Sequence, residues 1–207
     1  MNRRNLLLAG ASVTTAAASA LITGRVLRHG DSTAPDKAGF PNPMLTTHEG
    51  RRVRFYDDLL KDKTVGINFM YAQCSGICPG MTANLLRVQH ALGERMGRDV
   101  FLYSFTLQPE LDSPAALKDY ATRHHTGPGW EFVTGTPQDM ERIRRRLGFY
   151  DPDPVVDRDK SKHTGLLRYG NVALDRWGAC PALATPEQIA RSLLWMAPAV
   201  TGSPVGA

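Results

Sequence analysis

The sequence is poor in cysteine, in aromatic residues and in clustered positive charge. Three cysteines among 207 residues are too few for the several disulfides that hold small secreted scaffolds together. Basic residues outnumber acidic ones by only 25 to 20, and no aromatic residues alternate with them, which argues against nucleic-acid binding. Only one long uncharged run occurs, which excludes a protein with several membrane spans. With 42% hydrophobic and 22% charged residues, the composition is that of a soluble globular domain that needs no cross-links.

The first residues are typical of an export signal. Arg3 and Arg4 precede an uncharged stretch over residues 6–22, and Ala18-Ser19-Ala20 supplies the small residues that signal peptidase prefers. The arginine pair followed by three leucines resembles a twin-arginine signal, although a Sec signal remains open. We therefore predict that residues 1–28 are an export signal or an N-terminal anchor.

Export would place the rest of the chain on the periplasmic side of the cytoplasmic membrane, either soluble after cleavage or N-terminally anchored. Residues 29–43 contain Gly, Pro, Asp and Ser and are predicted to be a linker. The folded domain is expected over residues 44–197, followed by a C-terminal tail over residues 198–207.

From residue 44 onward the sequence alternates between strand-like and helix-like runs, with no internal repeat. Short runs of β-branched and aromatic residues predict strands, and longer runs with apolar residues at helical spacing predict helices. This alternation favours a mainly parallel or mixed sheet covered on both faces, so we predict a three-layer α/β sandwich. The predicted strands are 52–55, 64–71, 100–106, 130–134 and 165–172, and the predicted helices are 79–92, 114–124, 137–147 and 186–196.

The sharpest motif is Cys74-Ser75-Gly76-Ile77-Cys78-Pro79, which lies between a predicted strand and a predicted helix. The positive end of a helix favours thiolates, and a spacing of four residues brings two sulfurs within about one helical turn. Cys74 and Cys78 can therefore bond each other or share one metal ion. In air and without metal we expect an intramolecular disulfide between them. A purely structural disulfide is less favoured, because so short a loop gains little from closure.

Two thiolates leave a metal site incomplete, and one histidine is placed to add to them. His163 lies directly before a predicted strand, where the loops of open α/β folds converge on a site. A zinc site would want a fourth ligand, for which Cys180 is a candidate, although a lone cysteine is more often a small buried residue. The other histidines are predicted in the linker, a turn, a distant helix turn or a helix end: His29, His48, His90, His124 and His125.

The stretch from Asn68 to Pro79 resembles the copper-site signature of the Sco/SenC family, and the resemblance extends over about residues 40–197. It continues at Ser104–Pro114, Leu117–Ala121, Thr134-Gly135 and Lys162–Thr164. The resemblance implies a thioredoxin-like sandwich with a central mixed sheet. It also implies one copper ion, Cu(I) or Cu(II), held by Cys74, Cys78 and His163. Two thiolates and one imidazole suit Cu(I) on softness as well.

Three charged or polar features qualify this interpretation. Gln108 stands where the family commonly has Asp, so this chain lacks the carboxylate that could tune the site or serve a redox role there. The acidic stretch Asp151–Asp159 is predicted to be a solvated loop rather than a metal-entry or docking element. The basic run Arg142–Arg146 is likewise predicted to be a solvated helix face, with a docking patch for an acidic partner as the alternative.

Two functions remain open at this point. The first is a copper chaperone that delivers its ion to a respiratory copper enzyme such as cytochrome c oxidase. Its partner would be an oxidase subunit or another periplasmic cuproprotein. The second is a thiol-disulfide oxidoreductase in which Cys74 and Cys78 are the redox-active pair acting on a partner's disulfide. His163 discriminates between them, since disulfide exchange needs only the thiols. A peroxidase-like relative is less favoured, because it would use a single activated cysteine.

Overall fold

The computed structural model of this protein describes residues 39–160 and 165–197. The predicted export signal, most of the predicted linker, His163 and the C-terminal tail lie outside the described residues. Within the two described ranges, no helix has both the length and the apolar character needed to cross a membrane.

The centre of the fold is a mixed sheet of seven strands in the order β2-β1-β5-β4-β3-β6-β7. The neighbours β3, β4 and β5 run parallel, while every other neighbouring pair is antiparallel. The strand bounds are β1 Met44–Thr47, β2 Arg52–Arg54, β3 Thr64–Met70, β4 Val100–Thr106, β5 Trp130–Thr134, β6 Leu166–Asn171 and β7 Arg176–Pro181.

The helices begin where the sequence places capping residues. Ser113, Thr136 and Thr185 each accept a hydrogen bond from the backbone three residues on, and proline follows each of them, as is typical of helix starts. A π-helical turn occupies Phe55–Leu60. The helix bounds are α1 Ile77–Leu92, α2 Pro114–Arg123, α3 Pro137–Arg146, α4 Pro154–Arg158 and α5 Pro186–Met196.

Helices cover both faces of the sheet, which confirms the predicted three-layer α/β sandwich. The buried side chains of α1, α2 and α5 pack on one face, and those of α3 and the π-helical turn pack on the other. All seven residues of β3 are buried, as expected for a central strand covered on both sides. The cysteine motif follows this strand directly.

The folded part of the chain starts earlier than the sequence suggests. Phe40, which we assigned to the linker, is buried and packs against the rings of Phe55 and Trp177 at 6.4 and 5.3 Å. The Asn42 side chain accepts a hydrogen bond from the amide of Tyr56. The prediction also missed β1, β7 and α4, because these elements are short and have weak periodicity.

The prediction that both charged segments are solvated is wrong for their central residues. The Arg144 side chain is only 8% exposed, and its guanidinium contacts Asp157 and Glu141 at 2.8 Å each. Arg144 also donates to the carbonyl of Phe149, and Asp157 accepts from the amide of Asp151 at 2.9 Å. The basic run and the acidic stretch are therefore partners within one molecule, a pairing that only the tertiary fold brings about.

Candidate metal centre

Both predicted cysteines lie at the junction of β3 and α1. We call residues 71–76 the cysteine loop; Cys74 lies in it, and Cys78 is the second residue of α1. Cys74 is 9% exposed and Cys78 is fully buried, and both are free thiols. The helix begins two residues before the predicted start at Pro79. That proline occupies the first turn, where a backbone N–H has no helical partner to lose.

The surroundings of the Cys74 sulfur favour the thiolate. Burial by itself acts to raise the pKa of Cys74, but hydrogen bonds outweigh it and lower the pKa. The donors are the Cys78 thiol, the Cys78 and Gly76 amides and the Tyr71 hydroxyl. Two of these donors, the amides of Gly76 and Cys78, lie at the start of α1, where backbone N–H groups have no partner within the helix. They donate to the Cys74 sulfur instead, as the sequence predicts.

Cys78 behaves in the opposite way. Burial, followed by its hydrogen bond to Cys74, raises the pKa of the Cys78 thiol to about 12, although the Tyr71 amide donates to it. One sulfur of the pair thus favours the charged form while the other keeps its proton. A soft metal ion that binds both sulfurs must displace this proton.

Tyr71 is a site residue that the sequence analysis did not single out. Its hydroxyl donates to Cys74, and this bond, together with burial, raises the pKa of Tyr71 to about 12. Its carbonyl accepts the Cys74 amide at 3.1 Å. Tyr71 therefore contacts the Cys74 sulfur and backbone and also the Cys78 sulfur. Its position as the last residue of the predicted strand gives no signal of this role.

Asp112 holds the cysteine loop from the neighbouring strand end. Its carboxyl group is 1% exposed and accepts the Ala72 amide at 3.1 Å and the Thr106 hydroxyl at 2.5 Å. The turn that presents it is shaped by Gln108, whose amide donates to Thr106 and whose carbonyl accepts the Asp112 amide, both at 2.9 Å. The sequence analysis did not single out Asp112, which lies within the stretch Ser104–Pro114 that resembles the family.

The described neighbours of His163 lie close to the cysteine loop. On one side, Lys160 donates to the carbonyl of Leu107 at 2.6 Å, directly after β4. On the other side, Gly165 lies beside Ile77, the first residue of α1: a β-carbon at position 165 would be 3.7 Å from Cδ1 of Ile77. Across residues 39–160 and 165–197, no three His, Cys, Asp or Glu side chains form a metal-binding group.

The remaining candidates have structural contacts of their own. His124 packs against the Tyr120 ring at 4.3 Å at the end of α2, and His48 accepts the Phe132 amide at 3.1 Å. Cys180 lies half-buried in β7, packs against the same core cluster as Cys74 and has its pKa raised by burial. His48 and His124 thus lie in a turn and at a helix end, as predicted, and Cys180 is a partly buried residue of the core.

Comparison with known proteins decides the family. The model of the family described as SCO1/SenC matches residues 37–198. This chain belongs to the SCO1/SenC family. A SCO1 protein homolog of Bacillus subtilis is 35% identical over 80 residues, which cover 38% of this chain and 41% of that protein. A mitochondrial SCO1 homolog of Arabidopsis thaliana is 26% identical over 129 residues, covering 58% of this chain and 37% of the relative. The matched stretches thus span less than two thirds of these relatives.

Solved structures of the family have the same fold. A copper-bound ScoI from Bradyrhizobium japonicum is 26% identical, with a TM-score of 0.59, covering 74% of this chain and 96% of that one. Copper-bound yeast Sco1 is 20% identical, with a TM-score of 0.58 over 73% of this chain and 87% of its own. The fold is therefore a thioredoxin-like α/β sandwich with a mixed sheet, as predicted.

Proposed function

We propose that this protein is an extracytoplasmic chaperone that holds one copper ion through Cys74, Cys78 and His163. It delivers the ion to a respiratory copper enzyme such as cytochrome c oxidase. The observation that carries the proposal is the placement of two free thiols at the start of α1, where they are hydrogen-bonded to each other and to backbone amides. Membership of the SCO1/SenC family, which includes copper-bound Sco structures, supports it.

The donor set fits copper as cargo better than it fits a structural zinc ion. Two thiolates and a neutral imidazole suit Cu(I), which accepts three soft or borderline ligands, whereas a structural zinc site takes four. Binding requires both thiols to lose their protons. The lowered pKa of Cys74 favours the first loss, and the pKa of about 12 at Cys78 means that the metal itself must drive the second.

Chain connectivity supports His163 as the third ligand. Gly165 lies beside Ile77 and its carbonyl accepts the Ala182 amide at 2.9 Å. His163 is two residues before Gly165, so their Cα atoms lie within about 7 Å of each other. Gly165 thus brings the chain two residues after His163 beside the helix that contains Cys78.

Transfer of the cargo requires that a partner can reach the ion. Cys74 is the more exposed of the two cysteines and follows the exposed Gln73, so an incoming ligand meets it first. A site with three ligands can take a fourth from the partner and then release its own one at a time. The predicted signal over residues 1–28 would bring the protein to the periplasmic side, where respiratory copper centres are assembled.

The alternative is a thiol-disulfide oxidoreductase, and the asymmetry of the two thiols favours it as the second candidate. The Cys74 thiolate would attack a partner's disulfide and release one partner thiolate. The Cys78 thiol would then lose its proton and displace the second. The partner gains two electrons and two protons, and this protein ends with a Cys74–Cys78 disulfide. A reduced thiol carrier would be needed to restore it.

X-ray absorption at the copper edge on the reduced, Cu(I)-loaded protein tests the ligand set. We expect two sulfur ligands and one nitrogen ligand in the wild type and loss of tight binding in Cys74→Ser and Cys78→Ser. His163→Ala should lose the nitrogen and hold copper more weakly, especially Cu(II), which prefers nitrogen and oxygen ligands. His124→Ala and His125→Ala are matched controls and should keep the wild-type spectrum.

Two results would contradict the proposal. A nitrogen ligand that persists in His163→Ala but disappears in a control variant would show that His163 is not a ligand. Failure of the wild-type protein to bind copper, with retained reduction of a peptide disulfide, would replace the chaperone with the oxidoreductase.

A further inference from the structure

The end of the sheet opposite the cysteine loop carries an exposed patch that the copper site does not explain. Trp195 is 67% exposed, Leu194 is 38% exposed and Leu174 is 43% exposed. Two exposed arginines accompany them, and the Arg176 guanidinium lies 5.5 Å from the centre of the Trp195 ring. Arg191 precedes Trp195 by four residues, so both lie on one side of α5. We call Leu174, Arg176, Arg191, Leu194 and Trp195 the α5 patch.

Hydrogen bonds fix where this patch lies. The Thr64 hydroxyl at the start of β3 donates to the carbonyl of Met196, and it accepts the side-chain amide of Asn171 at 3.1 Å. The end of α5 and the β6–β7 turn therefore meet at the start of β3. The cysteine loop follows the other end of this strand, about 20 Å away at the rise of a β-strand.

The chain enters the described domain at the same end. The carbonyl of Gly39 accepts a hydrogen bond from Arg146, and Phe40 packs on Trp177, the neighbour of Arg176. Sixteen residues, 23–38, separate Gly39 from the uncharged run over residues 6–22. Such a connection extends to at most about 55 Å, so an anchored chain keeps this domain within reach of a bilayer.

We propose that the α5 patch docks on the surface of a bilayer that contains anionic lipids. Tryptophan and leucine side chains partition into the headgroup region, while arginine side chains pair with lipid phosphates. Asp175 lies between Leu174 and Arg176, and the two arginines outnumber it, so the patch keeps a net positive charge. Docking at this end turns the cysteine loop away from the bilayer surface, into the aqueous phase.

Fluorescence quenching in the full-length protein tests the contact directly. The protein is reconstituted into vesicles of phosphatidylglycerol and phosphatidylcholine whose acyl chains carry bromine, which quenches only tryptophans close to the bilayer. We expect quenching in the wild type that is largely lost in Trp195→Phe. Leu111 is 61% exposed and precedes Asp112, which accepts the Ala72 amide of the cysteine loop. As a matched control, Leu111→Trp in the Trp195→Phe background therefore places an exposed reporter beside that loop. That reporter should remain unquenched.

The charge of the patch is tested in the same vesicles. Arg176→Gln and Arg191→Gln should each lower the ratio of docked to undocked domain about fivefold. Vesicles without phosphatidylglycerol, or raised salt, should lower it as well. Circular dichroism and thermal unfolding of the variants confirm that the fold is retained.

Three outcomes would overturn the proposal. One is an unquenched Trp195, with or without sedimentation of the protein with the vesicles. Another is equal quenching at the Leu111→Trp reporter, which would mean no preferred orientation. The third is shielding of Trp195 from acrylamide in the absence of lipid, which would show that another part of this chain or a second copy covers the patch.

Discussion

The cysteine loop and the segment Asp151–Lys160 border the same end of the sheet, yet different contacts hold them. The cysteine loop is held by hydrogen bonds: Asp112 accepts the Ala72 amide, and Tyr71 contacts both sulfurs. The segment that leads toward His163 is held by ion pairs of its Asp157 with Arg144 and Arg145 of α3. Hydrogen bonds between nearby groups fix geometry closely, whereas buried ion pairs respond to acid and to loss of one partner. The cysteine loop and the segment that leads toward His163 should therefore lose their structure under different conditions.

The largest effect is expected from Arg144→Met, which leaves the buried Asp157 carboxylate without its main partner. Breaking a buried pair on one side costs about 3–5 kcal/mol, and the remaining contact of Asp157 with Arg145 at 2.9 Å places this variant at the lower end. Urea unfolding of the wild type and the variant measures this loss in the free energy of unfolding. Adding Asp157→Leu should restore part of the loss, and Arg142→Met, which removes an exposed pair, should cost less than about 1 kcal/mol. Equal losses in the two arginine variants would refute the comparison.

Asp112→Ala should have the next largest effect, because it leaves the Ala72 amide and the Thr106 hydroxyl without an acceptor. The expected cost is about 1–3 kcal/mol of stability, with faster alkylation of the buried Cys78 as the loop opens. Asn171→Ala is a matched control, since it removes a buried hydrogen bond to Thr64 at the far end of β3. It should lower stability without changing the alkylation of either cysteine, as peptide mapping by mass spectrometry can show.

Lowering the pH should weaken the contacts of the segment Asp151–Lys160 more than those of the cysteine loop. The hydrogen bond from Arg144 is the main cause that lowers the pKa values of Asp157 and Glu141 below their usual 3.8 and 4.5. As the pH falls, these carboxylates take up protons at a higher pH in the unfolded chain than in the folded protein. Their contribution to stability is thus complete above about pH 4.5 and is lost progressively below it. The stability difference between wild type and Arg144→Met should shrink over that range in urea titrations, and a constant difference would contradict this.

Tyr71→Phe should have the smallest effect on stability, about 0.5 kcal/mol, since it removes one hydrogen bond at a half-buried position. It should nevertheless slow the alkylation of Cys74, because the lost hydroxyl donor helps to lower the pKa of that thiol. Alkylation of the wild type and the variant at one neutral pH measures the change. Unchanged kinetics would mean that the amides of Gly76 and Cys78 alone set the reactivity of Cys74.

The sequence determined those features that depend on neighbours along the chain. Strand and helix alternation, the caps at Ser113, Thr136 and Thr185, and the placement of Cys74 and Cys78 at a helix start follow from local propensity and spacing. The tertiary structure alone decided the contacts between distant residues. Ala72 meets Asp112 across 40 positions, Arg144 meets Asp157 across 13, and Ile77 meets Gly165. Such pairings depend on which strands become neighbours, and no local pattern in the chain encodes that choice.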